Sequence, residues 1–209
     1  PRQRSGQARA AAAILGPVIA ERFPWSGTMQ PVHEDLTELI LNRTWRPALS
    51  VTGAGGLPPL ANAGNVLRPN TALQLSIRTP PTVDAEAVYP ILKAALEAEP
   101  PYGANVRFDG HAASGWHAPM LRPWLHQALD NTSQAWFGQS AMYMGEGGTI
   151  PFMGMLGDKF PNAQFVITGV LGPGSNAHGP NEFLHLPMAR HLTGCVAQLV
   201  ALHGRQFGA

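Results

Sequence analysis

The stretch AQFVITGVLGPGSNAHGPNEFL, residues 163–184, decides how the rest of the chain is read. Its first half is a nearly continuous apolar run, the pattern of a strand buried on both faces of a sheet. Its second half sets His178 among glycines, prolines and asparagines, so the residue sits on a loop directly after that strand. Functional groups of α/β sheets are usually presented at such places. Gly174 and Gly179 permit unusual backbone angles, and Asn176 and Asn181 can hold the loop through their side chains. A neutral imidazole held in this way is a good zinc ligand. A loop histidine bonded to backbone is the plainer alternative, because a zinc site needs three or four ligands and the chain has no HExxH or CxxC, while its one His-x-Asp, His33-Glu34-Asp35, reads as a solvated helix start.

Working outward, the final helix lies in PMARHLTGCVAQLVALHGR, with Leu192, Val196, Leu199 and Val200 on one side. Before the strand, PMLRPWLHQALDNTSQAWFG reads as an amphipathic helix. Between them MGEGGTIPF, residues 144–152, exposes backbone N–H groups at Gly148 and Thr149, with a helix start at Ile150-Pro151. It is either an anion cradle or a structural turn.

Nearer the amino terminus, QARAAAAILGPVIAER reads as a helix divided at Gly16-Pro17. HEDLTELILN is a short helix with Glu34 and Asp35 at its positive end. PALSVTGAGGLPP and NVLRPNTALQLSIRTPP are strands, the second placing Gln74, Ser76 and Arg78 on one face. A helix follows from Val83, capped by Asp84, with Ala87, Val88, Ile91, Leu92, Ala95 and Leu96 as its stripe. ANVRFDG is a third strand. The order predicts an antiparallel sheet with helices on one face, within an α/β chain whose two parts meet near residues 112–117.

Composition narrows the function. The net charge is +1, only 13% of the 209 residues are charged, and no basic run occurs, which argues against nucleic acid as a partner. No window is apolar enough to span a membrane. The single cysteine, Cys195, allows no intrachain disulfide, and points to a reducing, cytoplasmic setting. It reads as a small buried helix residue. His185, His191 and His203 read as surface residues of the last helix, and His117 as the histidine best placed to face a cleft. Arg78 offers a guanidinium fork suited to a carboxylate, though an edge-strand arginine in water is the commoner case.

In order, the motifs GNVLRP (64–69), LSIRTPP (75–81), GEGGTIP (145–151) and SNAHGPNEFL (175–184) resemble those of the two-zinc exopeptidases and deacylases. That family includes carnosinases, glutamate carboxypeptidases, aminoacylases and succinyl-diaminopimelate desuccinylase, and the dipeptidase-like branch is the nearer one. The resemblance implies a lid and dimerisation domain at residues 1–114, incomplete at its start, and the closing segment of a catalytic domain at 115–209. It implies His178 as a metal ligand and Arg78 as the group that binds the substrate carboxylate. Asn65 would then lie near the reacting carbonyl, Gly148 and Thr149 on the carboxylate, and Glu146 towards the other end of the substrate.

The resemblance also implies two zinc ions (manganese and cobalt stay open), a metal-activated water, a dipeptide or N-acyl amino acid substrate, and a homodimer formed through the lid. The remaining ligands and the general base belong to an upstream half of the catalytic domain that the family has and these residues lack. The family's His-Ser-Gly is missing as well: Arg4-Ser5-Gly6 has no histidine and lies too close to the alanine-rich helix to be its counterpart. The chain alone is therefore expected to be inactive. The alternative is a non-catalytic dimerisation or carboxylate-binding module.

Overall fold

The computed structural model describes residues 2–146, 150–172 and 174–208. The chain divides into two compact units: Pro1–His117 with Tyr143–Leu156, and Ala118–Met142 with Gly157–Ala209.

The first unit opens with α1, Arg2–Leu15, which starts earlier than the alanine run alone predicts and takes in Arg4-Ser5-Gly6. An Arg4 to Gln7 side-chain bond of 2.9 Å supports this extra turn. Gly16, at φ 56°, ends the helix, and a short α2, Val18–Glu21, follows Pro17. In α3, Leu36–Thr44, the Asp35 carboxylate accepts the Thr37 N–H and so caps the helix. That backbone bond draws the Asp35 pKa below its ordinary value. Ala8, Ala11 and Ala12 let α1 approach closely, and with Ile19 and Ile40 they form the core of this unit.

Strands β1, Ala48–Gly55, and β2, Ala72–Arg78, pair antiparallel from Ala48↔Arg78 to Gly55↔Ala72, with a bulge between Val51 and Gly53. The predicted strand at 65–78 is thus shorter; residues 65–71 belong to the long connection before β2. Helix α4, Ala85–Glu97, begins where expected, with Asp84 accepting the N–H groups of Glu86 and Ala87. Its expected apolar stripe is only partly used. Val88 and Leu92 are half-buried, whereas Ile91 and Leu96 are exposed.

The predicted third strand at 104–110 is not formed; among the described residues the sheet has two strands. The segment spends its polar groups on α4 instead. Phe108 donates its N–H to Glu97 at 2.6 Å, gives its carbonyl to Lys93, and sets its ring 5.7 Å from that of Tyr89. Ser114 then meets the start of α4, accepting the Ala85 N–H at 3.0 Å. The Lys93 bond first, and the Phe108 N–H second, hold Glu97 below the usual carboxylate range.

In the second unit, α5, Pro123–Phe137, packs on α7, Leu186–Phe207. Proline opens α5, and Gly138 closes it in the left-handed conformation at φ 71°. Leu125, Ala128, Thr132 and Cys195 are buried between these helices. The Thr132 hydroxyl is satisfied by the Ala128 carbonyl at 2.9 Å, and burial pushes the Cys195 thiol up. On α7 the inward residues are Leu192, Cys195 and Leu199, while Val196 and Val200 of the predicted stripe stay exposed. Helix α6, Pro151–Lys159, starts at the predicted proline.

The apolar run 163–172 departs most from expectation. It forms no ladder among the described residues, and Val166, Ile167, Val170 and Leu171 are exposed. A buried interior strand needs partner strands on its edges and cover on its faces. This unit offers helices and no other strand among its described residues. No described helix is long and apolar enough to cross a membrane.

Candidate functional site

The first unit holds a broad cavity of about 1440 Å³ along β2, walled by parts of β1, α4 and the segment 107–116. The antiparallel register ends at Arg78, so its guanidinium stands at one end of this wall beside Ser76 and Gln74. Other cavity arginines are already committed. Arg46 meets Glu38 at 2.6 Å, and Arg107 is paired with Asp109. Arg43 contacts the Met144 sulfur at 3.4 Å. Arg78 is exposed and has no carboxylate partner among the described residues. A fork left open in this way can receive the carboxylate of a ligand.

Glu146 lines the same cavity. Its neighbour Gly145 lies so near α3 that a Cβ there would meet Thr44 Cβ at 3.0 Å and Trp45 Nε1 at 3.1 Å, which explains the glycine. Gly148 and Thr149 lie outside the described residues. Asn65 lies in the connection that leaves β1 at Gly55 and is not part of the cavity wall. His111 and Arg43 do line it, and no motif pointed to them. His117 sits edge-on to Trp45 at 5.5 Å. Desolvation there, then the nearby Arg4 charge, lowers its pKa and favours the neutral ring.

In the second unit His178 stands on a closed loop. Phe183 returns its N–H to the Ser175 carbonyl at 3.1 Å, and His185 to Leu171 at 3.2 Å. Buried Ser175 donates its hydroxyl back to the carbonyl of Leu171, with Gly172 O 3.0 Å away as a second acceptor. Within the loop Asn176, His178 and Asn181 adopt φ 54°, 61° and 58°. Asn176 holds the loop as expected, donating its amide to the Pro180 carbonyl at 2.6 Å. Asn181 contributes its backbone angle and no side-chain bond among the described residues. His178 itself is exposed, and its N–H meets the Glu182 carboxylate at 3.2 Å.

The three histidines expected at the surface of the last helix each make a contact, His203 while exposed as expected and His185 and His191 while half-buried. His185 caps α7 by accepting the Met188 N–H on Nδ1 at 3.1 Å. His191 packs edge-on to Phe137 at 5.4 Å, and His203 lies 5.0 Å from Phe207. Among the described residues no three histidine, cysteine or acidic side chains gather into a metal site. The residues present therefore do not fit a complete zinc centre: His178 offers one ligand nitrogen, and a metal held there needs ligands from elsewhere.

No protein-family model matches the chain. It is 26% identical over 164 residues to a cysteinylglycine-S-conjugate dipeptidase of Corynebacterium striatum, a match covering 77% of this chain and 35% of that protein. The chain thus spans about a third of the curated relative's length. Among solved structures it resembles the metallo-carboxypeptidase Sso-CP2 of Sulfolobus solfataricus, with TM-score 0.70 and 16% identity over 97% of this chain and 45% of that one. It also resembles the di-peptidase Dug1p of Saccharomyces cerevisiae, with TM-score 0.64 and 18% identity over 90% of this chain and 41% of that one. For human carnosine dipeptidase 1 the TM-score is 0.63, with 17% identity over 90% and 42% of the two chains. Sequence and fold agree: the relative in sequence is a dipeptidase, and the α/β chain shares its fold with two dipeptidases and a metallo-carboxypeptidase of the M20 family, in line with the exopeptidases its motifs resemble.

Proposed function

We propose that this chain is the carboxy-terminal part of a metal-dependent hydrolase that cleaves amide bonds of dipeptides or N-acyl amino acids. Residues 1–114 act as lid and dimer contact, and residues 115–209 as the closing segment of the catalytic domain. His178 contributes one ligand, and the rest of the metal site lies outside the chain. A metal bound there supplies Lewis-acid polarisation and a water of lowered pKa. The chain's own part is to bind and orient. Arg78 grips the substrate's free carboxylate, and Glu146 lies towards its other end, with Asn65, Gly148 and Thr149 as further substrate contacts. The open Arg78 fork on the cavity wall carries this reading, because every substrate of the proposed class presents a carboxylate.

In a full-length enzyme carrying this chain, Arg78→Ala is expected to raise KM for dipeptides with little change in kcat. A charged hydrogen bond contributes about 1.5–3 kcal/mol, or roughly 10- to 150-fold. Steady-state kinetics with carboxylate-bearing and amidated substrates measures this. An unchanged KM for the carboxylate form rules the role out.

The absence of a three-ligand cluster among the described residues favours a second reading for the chain by itself, a carboxylate-binding or dimerisation module. Both readings predict no dipeptide hydrolysis by the isolated chain and no tight stoichiometric zinc in calorimetry. Tight zinc together with hydrolysis would overturn both. If activity appears only when the chain is joined to an upstream half bearing the other ligands, the hydrolase reading stands over the module.

A further inference from the structure

The loop at 175–183 contains three non-glycine residues in the left-handed region, and the bonds that hold each of them differ. Asn176 is fixed by its own amide on Pro180 and by the Gly179 N–H returning to its carbonyl at 2.9 Å. A Cβ at Gly179 would fall 2.6 Å from the Asn176 amide nitrogen, so a side chain there would push that amide aside. His178 has no such self-made restraint. Its main chain is held by one side chain among the described residues, Glu182, whose Oε2 accepts the His178 N–H at 3.2 Å. Glu182 is exposed and makes no ion pair among the described residues, so no other charged group there competes for its carboxylate. A carboxylate accepting a backbone N–H makes a charge-assisted bond, stronger than its neutral counterpart. Backbone in this region persists only where its surroundings fix it.

We infer that Glu182 is the positioning residue for His178: it locks the His178 N–H, and with it the left-handed turn that sets the direction in which the imidazole leaves the loop. It does this from the main-chain side, without itself acting as a ligand. The inference deepens the reading of His178 as a ligand and rests on that reading only for its purpose, not for its geometry.

The test uses the ¹⁵N-labelled chain, comparing amide exchange and the HN–Hα coupling of His178 in the native protein, Glu182→Ala and Glu182→Gln. In Glu182→Ala, His178 N–H exchange is expected to accelerate at least about tenfold, the size of a charged hydrogen bond. The coupling should also move from its left-handed value, while Phe183 and Ser175 stay as they are. The Gln variant keeps an acceptor oxygen and is expected to recover most of the protection. A native His178 amide that exchanges as fast as in Glu182→Ala overturns the proposal. So does acceleration of all loop amides together, which would make Glu182 a general loop brace. Metal content of a full-length enzyme tests the ligand reading separately, so either can fail without the other.

Discussion

Replacing His178 by alanine in a full-length enzyme carrying this chain is expected to lower dipeptide hydrolysis by at least about a hundredfold and to release metal. Changes one layer beyond a metal's ligands already cost about 10–100-fold in affinity or activity, and loss of a ligand should exceed that. The measurement is metal content by mass spectrometry beside kcat. His33→Ala is the control: His33 is exposed and remote in sequence from every motif, so it should stay near the parent value. The two variants should unfold at similar denaturant concentrations, because His178 is exposed and its loop is closed by backbone bonds that do not use the ring. Full metal retention in His178→Ala would remove the residue from the site.

The second large effect is on stability. Gly172 lies at φ 79°, and a Cβ placed there would fall 2.5 Å from His185 Cβ and 3.0 Å from Met188 Cβ, at the very start of α7. Gly172→Ala should therefore incur both the left-handed penalty, about 1–2 kcal/mol, and an overpacking penalty of about 1–3 kcal/mol. The expected loss is about 2–5 kcal/mol. Gly174 makes the comparison sharp: it has φ 73° with no atom within 4 Å of the added carbon, so Gly174→Ala should show the backbone penalty alone. Denaturant unfolding measures both as shifts in midpoint at constant slope. Equal losses in the two variants would mean that the contact with α7 is not what requires glycine at 172.

The helices were legible because their signals are local. Asp84 as a cap, Glu34 and Asp35 at the positive end of α3, Gly16-Pro17 as a break and proline at the start of α6 all act within a few residues, so sequence suffices. Strands need partners. The period-two pattern identified β2, but nothing in ANVRFDG says that Glu97 and Lys93 will claim Phe108 before another strand does. The run 163–172 shows the same limit in stronger form: apolar residues say that a segment should be covered, and not by what.

At the candidate site, the turn residues around His178 were readable from composition, and Asn176 holds the loop as expected. Arg78 was readable from strand alternation. What made it distinctive, the pairing of Arg46 and Arg107 with acids elsewhere, depends on contacts that spacing does not encode. Glu182 was visible only as part of a motif, and its bond to the His178 main chain required the fold.

The cap on α7 commits one nitrogen of a ring. Because His185 Nδ1 accepts the Met188 N–H, that nitrogen is taken up by the first turn of the helix. Of the ring's two nitrogens only Nε2 is left to meet anything beyond α7, so the start of a 22-residue helix decides which edge of this histidine faces outward.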